Sequence, residues 1–357
     1  MSIQVRILGT GCHIPENAVD NSAFLNHEFY DENGEPYPHS NEVIVEKFQA
    51  ITEIRERRYA EPTQVCSDLG VLAAERAIEA AGIDRESLDL IVSAHNFGNI
   101  KFGTRYTDQM PPLASRVKHG LGIQNPNSVA FDLLAGCPGW IQGVITANAY
   151  LQSGQAKRAL VVGNEMLSRA VDPHDRDGMI FADGAGAVVL EAQTTEGPSG
   201  ILGLANRTYT SDEAYYLKSN PGYKPGSNPD EMLIKMKGRK IYEFALRNVP
   251  DAMKGALDHA GIHLSEVKKV FIHQANAKLD HAVIERLYKL YSMPVDVDAV
   301  APMSIQWLGN SSVATVPTLL DMVWRKQYEG HSIQSGDVLL FASVGAGMTI
   351  NAFVYRW

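Results

Sequence analysis

The sequence predicts an α/β protein made of two similar halves, each with helices layered on a mostly parallel sheet. Three observations lead there: a helix–loop–strand block occurs twice, apolar runs of strand length recur at the same spacing, and each half closes on a glycine-rich strand. The first block is "AIEAAGIDRESLDLIVSAHN" from Ala77, and its copy is "ALDHAGIHLSEVKKVFIHQAN" from Ala256. Gly82 aligns with Gly261 (261 − 82 = 179), and the same offset pairs Ile83 with Ile262, Leu88 with Val267 and Ile91 with Val270. Each glycine stands where a helix stops, a position that favours the left-handed conformation glycine adopts freely. The offset also relates "RALVVGNE" from Arg158 to "DVLLFASV" from Asp337. Unbroken apolar runs of this kind fit strands covered on both faces. Helices are expected from Pro138 to Gln152 and from Ser311 to Arg325, and closing strands in "GAGAVVLEA" at 184 and "GAGMTINAFVYRW" at 345. The halves are read as 1–195 and 196–357, with the seam in "EAQTTEGPSG" (191–200). "EFYDENGEPYPHSNE" (28–42) reads as a surface excursion, and "SNPGYKPGSNPDE" (219–231) as a loop before a helix starting near Lys237.

Composition narrows the class. The 357 residues are 45% hydrophobic and 20% charged, ample for a large core, and the formal net charge is −9. That charge argues against an extended nucleic-acid surface. Three widely spaced cysteines (Cys12, Cys66, Cys137) make no disulfide framework and suit a reducing compartment. No run approaches the ~18 apolar residues of a membrane span, and "MSIQVRILGTG" reads as a first strand rather than a signal segment. A soluble cytoplasmic protein with no membrane or nucleic-acid partner is expected.

The chemistry starts at "AFDLLAGCPGWIQGV" (130–144). Ala130–Leu134 reads as a strand, Gly136 as a sharp turn, and Pro138 as the first residue of a helix, where a missing N–H is harmless. A thiol at that junction faces unpaired N–H groups and the positive end of the helix dipole, both of which favour a thiolate. Taken alone, a buried structural cysteine is the commoner outcome. In the second half, the turn "WLGNSSVAT" with Asn310 stands in the corresponding place, and His273 ends the strand of "KKVFIHQAN". Ligands gather beyond the carboxyl ends of strands in α/β sheets, so a thiol, an imidazole and an amide are expected to meet in one cleft. That trio suits thioester chemistry through an acyl-cysteine. Individually, His273 reads equally as a structural strand-end histidine and Asn310 as a helix N-cap; Cys12 reads as structural.

Together, Cys137 in "AGCPGW", His273 in "HQAN", Asn310 in "GNSSVAT", "FADGAGA" at 181–187 and the terminal "GAGMT" resemble the β-ketoacyl-[acyl carrier protein] synthase III group of thiolase-fold condensing enzymes. "IRERRYAEP" (54–62) and "MKGRKIYEFA" (236–245) extend the resemblance over nearly the whole chain. It implies a thiolase-like duplicated fold and an acyl-Cys137 formed from an acyl-CoA. It implies a carbanion from malonyl-[acyl carrier protein] that attacks the acyl group after CO₂ leaves. His273 and Asn310 would donate hydrogen bonds to the thioester oxygen, the histidine as its neutral form. The backbone N–H groups of Cys137 and Ala346 would form the oxyanion hole, each worth about 3 kcal/mol. Arg176, Asn276 and Gly238 would receive coenzyme A and pantetheine, Met110 would enter the acyl pocket of a dimer partner, and Lys278 would meet an acidic carrier protein. The basic run "KMKGRK" (235–240), by itself a solvated face, is expected to join Lys278, Arg286 and Lys289 in a local patch, since a chain of net charge −9 can bind an acidic partner only that way. Acyl-CoA and acyl carrier protein are then the partners, a homodimer is expected, and neither a bound cofactor nor a metal is implied.

Two departures bear on the substrate. "NEVIVEKFQAITEIRER" lacks the family's adenine-clasping tryptophan, although Arg176 in "DPHDRDG" keeps a second family arginine. The acyl donor is therefore either CoA or a carrier protein. Methionine at position 110 is unbranched and adaptable, which points to a donor longer than acetyl. A degradative thiolase needs a second cysteine where this chain has Ser343-Val344-Gly345. A cysteine protease does not fit the duplication, and a noncatalytic subunit would have lost Cys137. The remaining competitor is an acyltransferase on the same scaffold that forms an ester or amide without decarboxylation.

Overall fold

Alternation along the strands sorts apolar side chains to two faces and thereby builds layers. In the second half, Phe271, Leu339, Phe341, Phe353 and Tyr355 face the centre of the molecule, while Val270, Ile272, Leu340, Ala342 and Val354 face outwards. The computed structural model describes residues 2–357. The strands of its two main sheets are β1 (Ser2–His13), β2 (Leu90–Ala94), β3 (Val129–Leu133), β4 (Arg158–Met166), β5 (Asp183–Thr195), β6 (Gly200–Thr208), β7 (Val267–Ile272), β8 (Val338–Gly345) and β9 (Thr349–Arg356). The first sheet has the order β1-β5-β4-β2-β3 and the second β6-β9-β8-β7.

The helices are α1 (Asn41–Thr52), α2 (Cys66–Ala81), α3 (Leu113–Gly120), α4 (Gly139–Gln152), α5 (Gly238–Ala260), α6 (Ala277–Leu290) and α7 (Thr315–Trp324). Between the sheets, α4 and α7 place Trp140, Ile141, Val144, Leu319, Leu320 and Val323 in a shared core with Phe341, whose ring stacks on Phe353 at 4.4 Å. On the outer face of the first sheet, α2 and α3 bury Leu69, Ala73 and Val117 against Ile91, Leu160 and Val162. On the outer face of the second, α5 and α6 bury Met253, Leu257, Val283 and Ile284. The result is five layers, helix–sheet–helix–sheet–helix. Among the described residues no helix is long and apolar enough to cross a membrane.

The duplication is visible in the fold. Gly82 and Gly261 end α2 and α5 with φ of 63° and 65°. Strands β1, β2, β4 and β5 correspond in order to β6, β7, β8 and β9. One detail differs from the sequence expectation, and others refine it. The sheets are mixed rather than mostly parallel, because β5 runs antiparallel between β1 and β4, and β9 does the same between β6 and β8. Only Ala346–Met348 joins β8 to β9, too short a connection for the crossover that a parallel neighbour requires. The segment before Asn310 is not a strand like β3 but two short helices, Val297–Val300 and Ile305–Leu308. Around the expected seam, β5 continues to Thr195 and β6 starts at Gly200, so the turn is narrower than 191–200. The loop at 219–231 is held at its base by a hairpin, Leu217–Asn220 with Leu233–Met236.

Candidate active site

The turn after β3 carries Cys137, and the turn between β8 and β9 carries Ala346. They touch through two glycines. A Cβ on Gly136, whose φ is +66°, would stand 2.6 Å from the Ala346 nitrogen, and one on Gly345 would stand 2.5 Å from the Cys137 nitrogen. Only bare backbone permits that approach. It brings the Cys137 and Ala346 N–H groups to the same place.

His273 follows the last residue of β7, and its N–H continues the ladder by donating to the Ala342 carbonyl (2.9 Å). Asn310 is held by its backbone on both sides: its N–H donates to the Ile180 carbonyl and its own carbonyl accepts from Ala182, both at 2.9 Å. Its side-chain Oδ1 accepts from the Ser312 N–H at 2.8 Å, which leaves Nδ2 as the free donor. Cys137, His273 and Asn310 line one cavity of about 80 Å³, walled by Phe181, Ile272 and Val344 among others. The three residues singled out from sequence are thus brought together.

Their protonation states follow from burial. The His273 imidazole is pushed down to about 4 by desolvation, against a hydrogen bond to the Ser312 backbone. It is neutral at physiological pH, as expected. Cys137 departs from expectation. Burial pushes its thiol up to about 11, and the Ser312 hydroxyl and the residue's own N–H only partly offset that. Nearby Glu165 adds to the rise. The helix start favours an anion less than the desolvated surroundings disfavour it, so the resting sulfur is a thiol rather than a thiolate.

Arg176, Gly238 and Asn276 line a groove of about 560 Å³ with Lys47, Phe48 and Tyr242. This groove shares Ile180, Met236, Ile241, Ala275 and Leu279 with the cavity at Cys137, so one path runs from surface to sulfur. Asn276 also caps α6 by accepting from the Leu279 N–H at 3.1 Å. The Arg176 guanidinium lies 4.5 Å from the centre of the Tyr37 ring. Tyr37, an aromatic inside the polar excursion, was not singled out from the sequence. A third space of about 200 Å³ also reaches Cys137, lined by Asn96, Phe97, Leu167, Ile234, Ser312 and Ala346.

Met110 lines none of these spaces within one chain; it is 87% exposed. Lys278 is exposed in the first turn of α6. Lys235 does not belong to a surface run: it is buried, with Nζ 2.5 Å from Asp172 and 3.1 Å from Asp175. Its partners sit just ahead of Arg176, where a buried ammonium needs anions nearby. Sequence reasoning also passed over Ser312 and Glu165. The only trace of Glu165 was a polar "NE" ending the apolar run "RALVVGNE".

Comparison with known proteins agrees with this architecture. Residues 131–209 match the family model described as 3-oxoacyl-[acyl-carrier-protein] synthase III, and residues 257–357 match the model of its C-terminal region. A β-ketoacyl-[acyl-carrier-protein] synthase III of Bradyrhizobium is 33% identical, with 100% of both chains covered. That of Erythrobacter litoralis is 34% identical over 99% of this chain and 100% of its own. Among solved structures, the synthase III of Aquifex aeolicus is 29% identical with a TM-score of 0.79, covering 99% of this chain and 100% of that one. A priming β-ketosynthase of a polyketide biosynthetic pathway is 26% identical with a TM-score of 0.81, covering 100% and 97%. The fold is that of the thiolase-like condensing enzymes. The chain belongs to the 3-oxoacyl-[acyl-carrier-protein] synthase III family.

Proposed function

We propose that this protein joins an acyl-CoA to malonyl-[acyl carrier protein] with loss of CO₂, through an acyl-Cys137 intermediate, giving a β-ketoacyl-[acyl carrier protein]. One observation carries the reading: Cys137, His273 and Asn310 share a cavity at the inner end of a groove that reaches the surface. The Cys137 sulfur attacks the thioester carbonyl, and the N–H groups of Cys137 and Ala346 hold the oxygen as it gains charge. Each such donor is worth about 3 kcal/mol. Once CoA leaves, the malonyl thioester occupies the groove, with its carbonyl oxygen at neutral His273 and the free Nδ2 of Asn310. Those donors steady the enolate that forms as CO₂ departs, and the enolate carbon displaces the sulfur.

Arg176, Gly238 and Asn276 bind the CoA arm, with Tyr37 offering the flat apolar surface that a missing tryptophan would have supplied. The acyl chain extends past Cys137 into the third space, closed by Met110 of a second copy. A homodimer is supported by β3, an edge strand, and by the exposed Phe102, Tyr106, Met110, Val129 and Leu134 near it. The carrier protein docks on exposed Lys278, Arg286 and Lys289 with Lys237, Arg239 and Lys240, without buried Lys235. Three free thiols fit work in the reducing cytoplasm.

Intact-mass spectrometry after mixing with acyl-CoAs of graded length tests the acyl-enzyme, and CO₂ release on adding malonyl-[acyl carrier protein] tests the condensation. An acyl adduct on Cys137 that persists until malonyl carrier protein releases it with CO₂ is expected. Transfer of the acyl group to an alcohol or amine with no CO₂ would replace the proposal by the simple acyltransferase.

A further inference from the structure

Cys137, His273 and Asn310 share their cavity with a buried acid. Asp280 lies in the first turn of α6, is 3% exposed, and lines the same space as those three residues. Among the described residues its Oδ2 has no hydrogen-bond partner. An acid in a first helical turn meets free N–H groups and the positive end of the helix dipole. That accounts for an acid at this position and still leaves one oxygen unsatisfied. Buried polar atoms without partners are few and costly, so this oxygen is a place for an incoming polar group.

The layout of the cavity says which group comes within reach. Apart from its four polar side chains it is lined by apolar residues, Phe181, Met236, Val249, Ile272, Val283 and Met348 among them. The groove that receives the CoA arm joins it along Ala275 and Leu279. Asn276 stands in the groove and Asp280 in the cavity, one helical turn apart on the same face of α6. An arm running inward along that face therefore meets Asn276 first and Asp280 second. Two carbons from its sulfur, the pantetheine arm carries an amide. Two methylene groups are too short to return that amide to the surface when the sulfur is at Cys137, so it is desolvated and needs a partner. The thioester oxygen already engages Cys137, Ala346, His273 and Asn310. Asp280 is the polar side chain of the cavity that remains.

Resting on the proposed condensation, we propose that Asp280 hydrogen-bonds the pantetheine amide nearest the thioester and thereby selects donors built on that arm over simple thioesters.

Burial pushes the Asp280 carboxyl well above the usual carboxylate range. As a neutral acid it has an O–H to donate, and an amide carbonyl is a good acceptor. A charged carboxylate here would repel the malonyl carboxylate and draw a proton to His273, and the neutral acid does neither. CoA and the carrier protein bring the same arm, so one residue serves both acylation and condensation.

The test compares two donors that differ only in the amide: an acyl thioester of N-acetylcysteamine and the same acyl thioester of pentane-1-thiol. Intact mass follows acylation of Cys137 by each, below saturation. The unaltered protein should acylate about tenfold faster with the amide-bearing donor. Asp280→Leu, similar in size, should bring that ratio to one or below, because an apolar wall suits the pentyl chain at least as well. Asp280→Asn keeps a donor and should keep most of the preference. A carboxyl that only steadies the helix end, or only holds a water, would slow both donors alike. A folded Asp280→Leu protein with an unchanged ratio therefore overturns the assignment, as does a ratio of one in the unaltered protein. Should Asp280→Leu fail to fold, the smaller Asp280→Ala carries the same comparison. Acyl-CoA tells the two readings apart. No adduct on unaltered Cys137 from acyl-CoA or either thioester defeats the proposed function and this assignment with it, whereas adducts formed without preference for the amide defeat the assignment alone.

Discussion

The strand ends of the two halves form one cavity but carry different groups. In the first half Cys137 lines that cavity, with Asn96 in the adjoining space and Glu165 buried behind Asn96; in the second His273 and Asn310 line it. The repeat offset makes the divergence explicit, since Glu165 corresponds to Val344, Asn164 to Ser343 and Ala94 to His273. One side has an acid behind a nucleophile, and the other has neutral hydrogen-bond donors. A duplicated scaffold supplies two equivalent platforms, and the groups are divided between them. An ionised acid next to His273 would favour the imidazolium and defeat its neutral state.

The largest expected break of that comparison is at the nucleophile. Cys137→Ala should lower condensation by more than about 10³-fold and abolish the acyl adduct, measured by product assay and intact mass. On the donor side, His273→Ala and Asn310→Ala should leave the acyl adduct intact yet slow CO₂ release by about 10²- to 10³-fold. Equal loss in acylation would erase the division between the halves. Next in size come the glycines where the halves touch. Gly136→Ala and Gly345→Ala insert a Cβ within 2.6 Å and 2.5 Å of backbone nitrogens. Each should destabilise by about 1–3 kcal/mol and lower kcat, seen by thermal melting and steady-state kinetics.

The acid side also has a stability signature. Glu165 has a folded-state pKa raised to about 7, so its contribution is fully present below the unfolded carboxyl value and lost as pH rises through 7. Glu165→Gln should therefore melt higher than the unaltered protein at pH 8 and closer to it at pH 5. A gap that does not widen with pH would contradict the buried carboxylate. The smallest effect belongs to the surface: Lys278→Glu should raise KM for malonyl carrier protein by several-fold, and salt should shrink the difference.

Much of this was legible in the chain itself. Glycines 82 and 261 announced the ends of equivalent helices, and apolar runs at one offset announced equivalent strands. Cys137, His273 and Asn310 were recoverable because each sits at a strand end or turn with a local pattern. The mixed sheets were less legible, since apolar runs do not record the direction of a neighbouring strand. Tyr37 and Ser312 were hidden because their partners lie far along the chain. Lys235 read as part of a charged surface run, and only the fold brings Asp172 and Asp175 around it.

The sequence by itself determined the duplication and most strands and helices, because these rest on short-range spacing, and its resemblance to a family singled out Cys137, His273 and Asn310. Only the tertiary structure decided that burial pushes the Cys137 thiol up, that it pushes the His273 imidazole down, and that Glu165 is buried against Asn96. Those states depend on desolvation and on contacts between distant segments, and neither exists until the five layers close around them.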